Sequence, residues 1–376
     1  MKKIGVITWF WGPNYGTVLQ AIALQVKLKD LGYIPELINI THEDSQKRTL
    51  IGRLKGGIFN KIHGIKKYAI KKKYGKSISY RDKKMNFEVN NKCKISSIVN
   101  NDSQYIKICN EYDYLIFGSD QIWNPNWYHP YYFADFNEII TPRIAYAPSL
   151  GVSLIHKENE NKYRIALERF FSIAVREDCG VKEINRIIGK ECTKVVDPTM
   201  LLNANDWDEL FDVKSVEDRY ILLYLLKDNK KHMKAVSKFA KSKRMKIKTI
   251  PYQFDTYFMH GEIMAETGPK EFLELIKNAE YVITDSFHGI VFSIIYQRQF
   301  YALTRFNDKE NDSQNSRVYQ IINEYGLQNR LQKFNTSQIQ ECGKIEFAGV
   351  YSKLKENIEI STKYLRNALK GIESDE

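Results

Sequence analysis

Short apolar, β-branched runs alternate with longer stretches of helical spacing along most of this chain, and that alternation restricts the fold more than any other feature. Strands separated by helices cannot pair through hairpins. They must cross over, so repeated β-α-β units build parallel sheets with helices on their faces. Ile4 to Trp9 reads as a first strand, Thr17 to Leu31 as a helix closed by Gly32, and Pro35 to Ile40 as the next strand. Tyr114–Phe117, Arg143–Ala147, Ser172–Val175 and Lys194–Val196 are further strand signals. Each is followed by turn chemistry: Gly118-Ser119-Asp120, Pro148-Ser149, Arg176-Glu177-Asp178 and Asp197-Pro198.

Asn203 to Asp218 is polar and acidic around Trp207 and Phe211 and reads as a linker, after which the pattern restarts. Strand signals lie at Tyr220–Leu226, Lys246–Ile250, Tyr281–Thr284 and Phe300–Leu303; helical spacing lies at Lys230–Ser242, Pro269–Asn278 and from Gly289 to Tyr296. A last amphipathic helix falls near Tyr351–Leu369. A length of 376 residues suits two domains. The expected class is α/β, with two Rossmann-like halves facing a cleft: 1–205 with a basic helical insertion at about 50–110, then 206–345, then a C-terminal helix at 346–376. Ligands of such sheets bind beyond the carboxyl ends of the strands, here in the cleft between the halves.

Charge is concentrated rather than spread. Twelve basic residues and one acid, Asp82, lie between Arg53 and Lys84, so this segment carries +11 of the net +12. The near-neutral remainder argues against nucleic-acid binding through a broad basic face. Ile51, Leu54, Ile58, Ile62, Ile65 and Ala69 recur at helical steps, with most lysines elsewhere around the helix. Gly52, Gly56, Gly57 and Gly64 weaken that helix by about 1 kcal/mol each. The segment is either an element for a membrane surface or anionic ligand, or a helix packed on its own domain with solvated lysines.

Cys93, Cys109, Cys179, Cys192 and Cys342 are odd in number and scattered, which suggests reduced thiols in the cytoplasm. Ile4 to Phe10 stops at Trp11-Gly12-Pro13-Asn14 without a cleavage pattern, so it is read as a strand rather than a signal peptide. No apolar stretch approaches the roughly 18 residues of a membrane span. The expected location is cytoplasmic, with peripheral contact at the inner face of the membrane through residues 53–84.

Polar clusters follow the strands. In Asn14-Tyr15-Gly16-Thr17, with Gln20 one turn on, Gly16 permits close backbone approach and Thr17 can cap a helix whose N–H groups attract anions. Ser119, Asp120, Gln121 and Trp123 follow another strand, and Asp120 is either a base for a substrate hydroxyl or a turn residue. Arg176 can grip a carboxylate or phosphate, or pair with its acidic neighbours. Thr284-Asp285-Ser286-Phe287-His288-Gly289 places His288 at a helix entry, where it could bind or protonate a phosphate. Arg317 opens another helix and could add a second positive charge. No GxGxxG, Walker loop, HExxH or GxSxG is present, so no metal and no other cofactor is expected.

Taken in order, these blocks resemble the polysaccharide pyruvyl transferase family. They are Asn14-Tyr15-Gly16-Thr17-Val18-Leu19-Gln20-Ala21, Phe117-Gly118-Ser119-Asp120-Gln121-Ile122-Trp123-Asn124-Pro125, Ala145-Tyr146-Ala147-Pro148-Ser149, Val175-Arg176-Glu177, Asp197-Pro198-Thr199, Gly268-Pro269, Thr284 to Gly289, and Ser316-Arg317. The resemblance implies a GT-B-like fold and transfer of a pyruvyl group from phosphoenolpyruvate, as co-substrate, to two hydroxyls of a sugar, forming a cyclic ketal. It implies a donor site of Arg176, Ser286, His288, Gly289 and Arg317, with His288 on the departing phosphate and Asp120 or Asp285 as base. Asn14, Tyr15, Gly16, Thr17, Gln20, Ser119, Gln121 and Trp123 would line the acceptor side, which takes a glycan or lipid-linked sugar of cell-envelope exopolysaccharide. Family members carry an arginine where this chain has Ser286, so Arg317 or a lysine of the basic segment would have to stand in. The rival expectations are a glycosyltransferase using a nucleotide sugar, and a non-catalytic protein that binds anionic surfaces.

Overall fold

A computed structural model describes residues 1–40, 57–252, 254–307 and 315–375. Seven strands form a first sheet: β1 (Lys3–Ile7), β2 (Ile34–Ile40), β3 (Ile95–Val99), β4 (Tyr114–Phe117), β5 (Arg143–Tyr146), β6 (Ser172–Val175) and β7 (Thr193–Lys194). Their order is 3-2-1-4-5-6-7, and every junction is parallel. Six more form a second parallel sheet of order 10-9-8-11-12-13: β8 (Tyr220–Tyr224), β9 (Lys246–Thr249), β10 (Glu262–Ile263), β11 (Tyr281–Thr284), β12 (Gln299–Leu303) and β13 (Leu331–Gln332). The order reverses at β1/β4 and at β8/β11. A crevice opens beyond the strand ends at such points.

The helices are α1 (Tyr15–Asp30), α2 (Gly57–Lys92), α3 (Asp102–Cys109), α4 (Lys157–Glu168), α5 (Asp178–Ile188), α6 (Ala204–Phe211), α7 (Lys230–Lys243), α8 (Pro269–Lys277), α9 (Phe287–Ile295), α10 (Ser316–Glu324) and α11 (Phe347–Asp375). Three strands were missed from sequence. β3 has a half-exposed edge pattern, while β10 and β13 have two residues each, too short for periodicity to register. The segment expected as an insertion therefore joins the first sheet from Ile95 onward. β1 ends at Ile7, two residues early, because Thr8 and Trp9 bond to Ser119 and Gln20 instead of continuing the ladder. β7 ends at Lys194, and the chain turns toward Pro198.

The expected linker is built into the core. Its α6 buries Trp207 completely; the indole N–H donates to Thr199 O at 3.1 Å and the ring meets Phe292 edge-on at 5.2 Å. One hydrophobic cluster runs from Val6 and Leu19 in the first half to Leu222 and Ile290 in the second. Helix α1 is buried on nearly every side because it lies between the first sheet and α8, which explains its apolar residues all round. Helix α11 returns to the first half, where Ser361 Oγ accepts Val196 N–H at 2.9 Å and Tyr364 OH donates to Ala145 O at 3.0 Å.

The basic helix ends at Lys92, inside the expected insertion, and the inward stripe of its described part does not include Ala69. Residues 41–56 lie outside the described residues, as do the side chains of 57–66, so Ile51 to Ile65 of the expected stripe are not placed; Ala69 is exposed. Ile70, Tyr74 and Ile78 pack on Tyr257, Ile263 and Ala265 of the second half, and Met85 and Val89 continue the stripe into the main core.

Trp207→Ala should remove about 3–5 kcal/mol of stability. The expected result in denaturant titration is a lower midpoint with an unchanged slope, since one shared core unfolds as a unit. Two separated transitions would show instead that the halves fold independently.

Candidate active site

The site forms where the strand ends of the first half meet the N-terminus of α9. Helix α1 is capped by Asn14, whose Oδ1 accepts Gly16 N–H at 3.0 Å, not by Thr17 as the sequence suggested. Thr17 Oγ1 instead donates to Asp120 Oδ2 at 2.6 Å, and Asp120 Oδ1 accepts the N–H of Gln121 at 2.8 Å. Gln20 clamps the turns after β1 and β4: its Nε2 donates to Trp9 O, while its Oε1 accepts Ser119 N–H at 3.0 Å. Gly118 has φ +129°, and a Cβ there would stand 1.9 Å from Tyr146 O. That turn accepts only glycine.

At the centre is Asp197, a residue the sequence reading treated as a turn. Its side chain is fully buried. Oδ1 accepts Thr199 N–H at 3.0 Å and Thr199 Oγ1 at 2.7 Å; Oδ2 accepts Arg176 Nη1 at 2.7 Å and lies 3.2 Å from Ser119 Oγ. His288 Nε2, from the second half, stands 3.6 Å from the same oxygen. Burial works against the charge, yet His288, Arg176 and the Thr199 N–H more than offset it and hold the carboxyl well below the usual carboxylate range. Arg176 is also buried and bonds Glu177 Oε1 at 3.1 Å, although sequence neighbours seldom pair so closely. Burial opposes its charge too, but Glu177 and Asp197 prevail and raise its pKa.

Ser286 caps α9 through Oγ to Gly289 N–H at 3.4 Å, which fixes the helix start from which His288 projects. The imidazole lies against α1: a Cβ on Gly16 would sit 1.9 Å from His288 Nδ1. Gly289 has a packing reason, since its Cβ would stand 2.4 Å from Thr284 Oγ1. Arg317, in the first turn of α10, donates from Nη2 and Nη1 to the side-chain oxygen of Gln121 at 2.9 and 3.1 Å. Burial and then repulsion from Arg176 push Arg317 down to about 10.

Three nitrogens here are buried without a hydrogen-bond partner: Arg176 Nη2, His288 Nε2 and Arg317 Nε; Glu177 Oε2 is an equally unpartnered acceptor. Arg176, Glu177 and Asp197 face Phe287, Arg317 and Gln320 across a cleft of about 960 Å³ between the halves. Buried polar groups left unpaired are rare and mark places built for a ligand's hydrogen bonds.

Other expected site residues have different positions. Trp123 is fully buried, stacked on Phe133 with its N–H on Tyr132 O, so it supports the turn from beneath and does not line the cleft. Tyr15 stacks on Phe272 and donates to Thr267 O, joining the halves. Asp285 is engaged on both oxygens, by Leu226 N–H at 2.7 Å and Arg305 Nε at 3.3 Å. Burial raises its pKa, with Arg305 opposing. Asp197, Glu177 and Arg305 were missed, though each stands within three residues of a strand end, the same signal that singled out Arg176. Among the described residues, no three metal-ligating side chains cluster.

Two parallel sheets flanking a cleft define a GT-B-like fold. Over 100% of this chain and 98% of the other, UDP-N-acetylglucosamine 2-epimerase from Rickettsia bellii superposes with TM-score 0.53 at 12% identity. The epimerase from Methanocaldococcus jannaschii gives 0.50 at 12% over 96% and 92%. Arabidopsis thaliana UGT89C1 complexed with UDP-L-rhamnose gives 0.53 at 9% over 99% of both chains. At these identities the likeness is one of fold alone. No curated protein sequence matches. The family model for polysaccharide pyruvyl transferase matches residues 14–306, and the chain belongs to that family.

Replacing Asp197 by Asn should take from Arg176 one of its two buried counter-charges and cost about 3–5 kcal/mol at neutral pH. Because folding depresses the Asp197 pKa, its contribution is full above the unfolded value near 3.8 and fades as pH falls below it. Stability against pH should therefore drop more steeply below about pH 4 in the wild type than in Asp197→Asn. Parallel acid limbs would mean that Asp197 carries no such charge.

Proposed function

We propose that this protein transfers the pyruvyl group of phosphoenolpyruvate to two hydroxyls of one sugar in a polysaccharide precursor, closing a cyclic ketal and releasing phosphate. The observation that carries this reading is that Arg176 and Arg317, each with an unpartnered buried nitrogen, line one cleft together with Asp197, whose Oδ2 lies 3.6 Å from the likewise unpartnered His288 Nε2. Phosphoenolpyruvate bears a carboxylate and a phosphate on the same carbon, so it needs two cationic forks close together. An anion between Arg176 and Arg317 would also relieve their mutual repulsion. Family membership supports a glycan as acceptor.

The chemistry adds a proton to the methylene carbon while the first sugar hydroxyl attacks the adjacent carbon and gives up its own proton. The bond to phosphate then breaks, phosphate leaves with a proton, and the second hydroxyl closes the ring. Two hydroxyl protons are lost and two are taken up, one by the new methyl group and one by phosphate. His288 is assigned to the departing phosphate, with Nε2 3.6 Å from Asp197 Oδ2. Both oxygens of Asp120 and of Asp285 are occupied, so Glu177 Oε2 is the better acceptor for a hydroxyl proton.

Calorimetry should show phosphoenolpyruvate binding that weakens about tenfold to a hundredfold in Arg317→Gln and in His288→Ala, from the lost charged hydrogen bonds. Unchanged thermal unfolding would exclude misfolding as the cause. Absence of binding at millimolar donor, with binding of a nucleotide sugar instead, would replace this reading by glycosyl transfer. Glu177→Gln should retain the donor and lose turnover in a phosphate-release assay. Gly16→Ala should displace the imidazole and lower turnover about a hundredfold, with the fold intact.

A further inference from the structure

We infer that the outward face of α2 is a docking surface for anionic lipid bilayers. This 36-residue helix carries most of the protein's net positive charge, and only part of that charge, on Arg81, Lys84 and Lys92 of its inward side, helps to hold the helix to the fold. The inward side does that work. Besides the Ile70, Tyr74 and Ile78 contacts, Ser77 Oγ donates to Glu266 Oε1 at 2.9 Å, Arg81 Nη1 to Tyr257 OH at 3.2 Å, Lys84 pairs with Glu271 at 2.5 Å, and Lys92 Nζ donates to Leu210 O at 2.5 Å. The helix is therefore fixed in orientation before any partner arrives.

Its opposite side has a second pattern. Tyr68, Lys72, Lys76, Tyr80, Lys83 and Phe87 follow steps of four, four, four, three and four, which align them along one face for about 28 Å. The three aromatic residues are 70%, 51% and 61% exposed, although nothing in a solvated lysine face requires large rings. Among the described residues, Lys71, Lys72, Lys76 and Lys83 have no ion-pair partner. Aromatic rings interleaved with lysines suit the headgroup boundary: rings enter the interface, and ammonium groups reach anionic headgroups from long stems. A nucleic acid of this charge would call for a groove that follows its backbone, whereas this surface is one convex helix. No helix among the described residues is long and apolar enough to cross a membrane, so contact would be peripheral.

Sedimentation of the whole protein with phosphatidylcholine vesicles, with and without phosphatidylglycerol, tests the inference. Binding should require phosphatidylglycerol and weaken with salt. Lys72→Gln, Lys76→Gln and Lys83→Gln together should reduce partition somewhat over a hundredfold, from about fivefold per lysine. Tyr68→Ser, Tyr80→Ser and Phe87→Ser, which leave the charge unchanged, should also weaken binding. All six positions are exposed, so thermal unfolding and cleft ligand binding should match the wild type. The inference is overturned by equal binding to neutral vesicles, by undiminished binding of either triple variant, or by tighter binding to single-stranded RNA than to the anionic vesicles. None of these readouts depends on which donor the cleft takes.

Discussion

The buried carboxylate of Asp197 constrains the rest of this protein. A charge removed from water is tolerated only where donors replace the lost solvation, and here they come from Thr199, Ser119, Arg176 and, close by, His288. Three of those partners belong to the first half and the fourth to the second. The imidazole reaches Asp197 only if the two halves are held in register. The location of the charge therefore explains why so much of the chain is spent on joining the halves rather than leaving them hinged.

That joining is redundant. Trp207 carries one core from half to half, α1 lies between them, α2 straps the second half from outside, and α11 returns to the first. A 3.6 Å separation between His288 and Asp197 is looser than a hydrogen bond, and Nε2 remains unpartnered. The framework thus holds the imidazole near its counter-ion without saturating it. A fully bonded histidine would have no proton to exchange with a substrate, and an unheld one would have no fixed place from which to act.

The alternating pattern of strands and helices was legible because each buried strand must be apolar and each crossover helix must show a face. The parallel pairing within both sheets follows from that. What stayed hidden depended on contacts between distant residues. Asp197 before Pro198 has the local look of a turn, and it is one: Oδ1 does accept Thr199 N–H. Its second oxygen meets Arg176 and His288, which lie 21 and 91 positions away, and no local pattern encodes that meeting. Trp123 had the opposite fate. Its polar neighbours suggested a cleft, but a large ring beside a strand end is as easily floor as wall, and Phe133 claims it. In helix α2, glycines and lysines obscured which residues turn inward; among the described residues the inward ones include Ile70, Tyr74 and Ile78, and Ala69 is exposed.

Ser286 shows how a change at one position is absorbed by the geometry around it. The resemblance to better-studied members of the family leads one to expect an arginine there, at the mouth of α9. A serine at that point gives up a long cationic arm and gains a cap, since Oγ accepts Gly289 N–H and settles the first turn from which His288 projects. The missing positive charge need not come from the same helix. Arg317 approaches from α10, close enough to Arg176 that each opposes the other's charge, and Arg305 is held at the neighbouring strand end by Asp285. Two like charges are kept together at a cost, and burial first, then repulsion from Arg176, pushes Arg317 down to about 10. Such a pair is unfavourable as pure structure and favourable once an anion lies between its members. With a serine capping α9, the cationic forks at this cleft are Arg176 of the first half and Arg317 of α10.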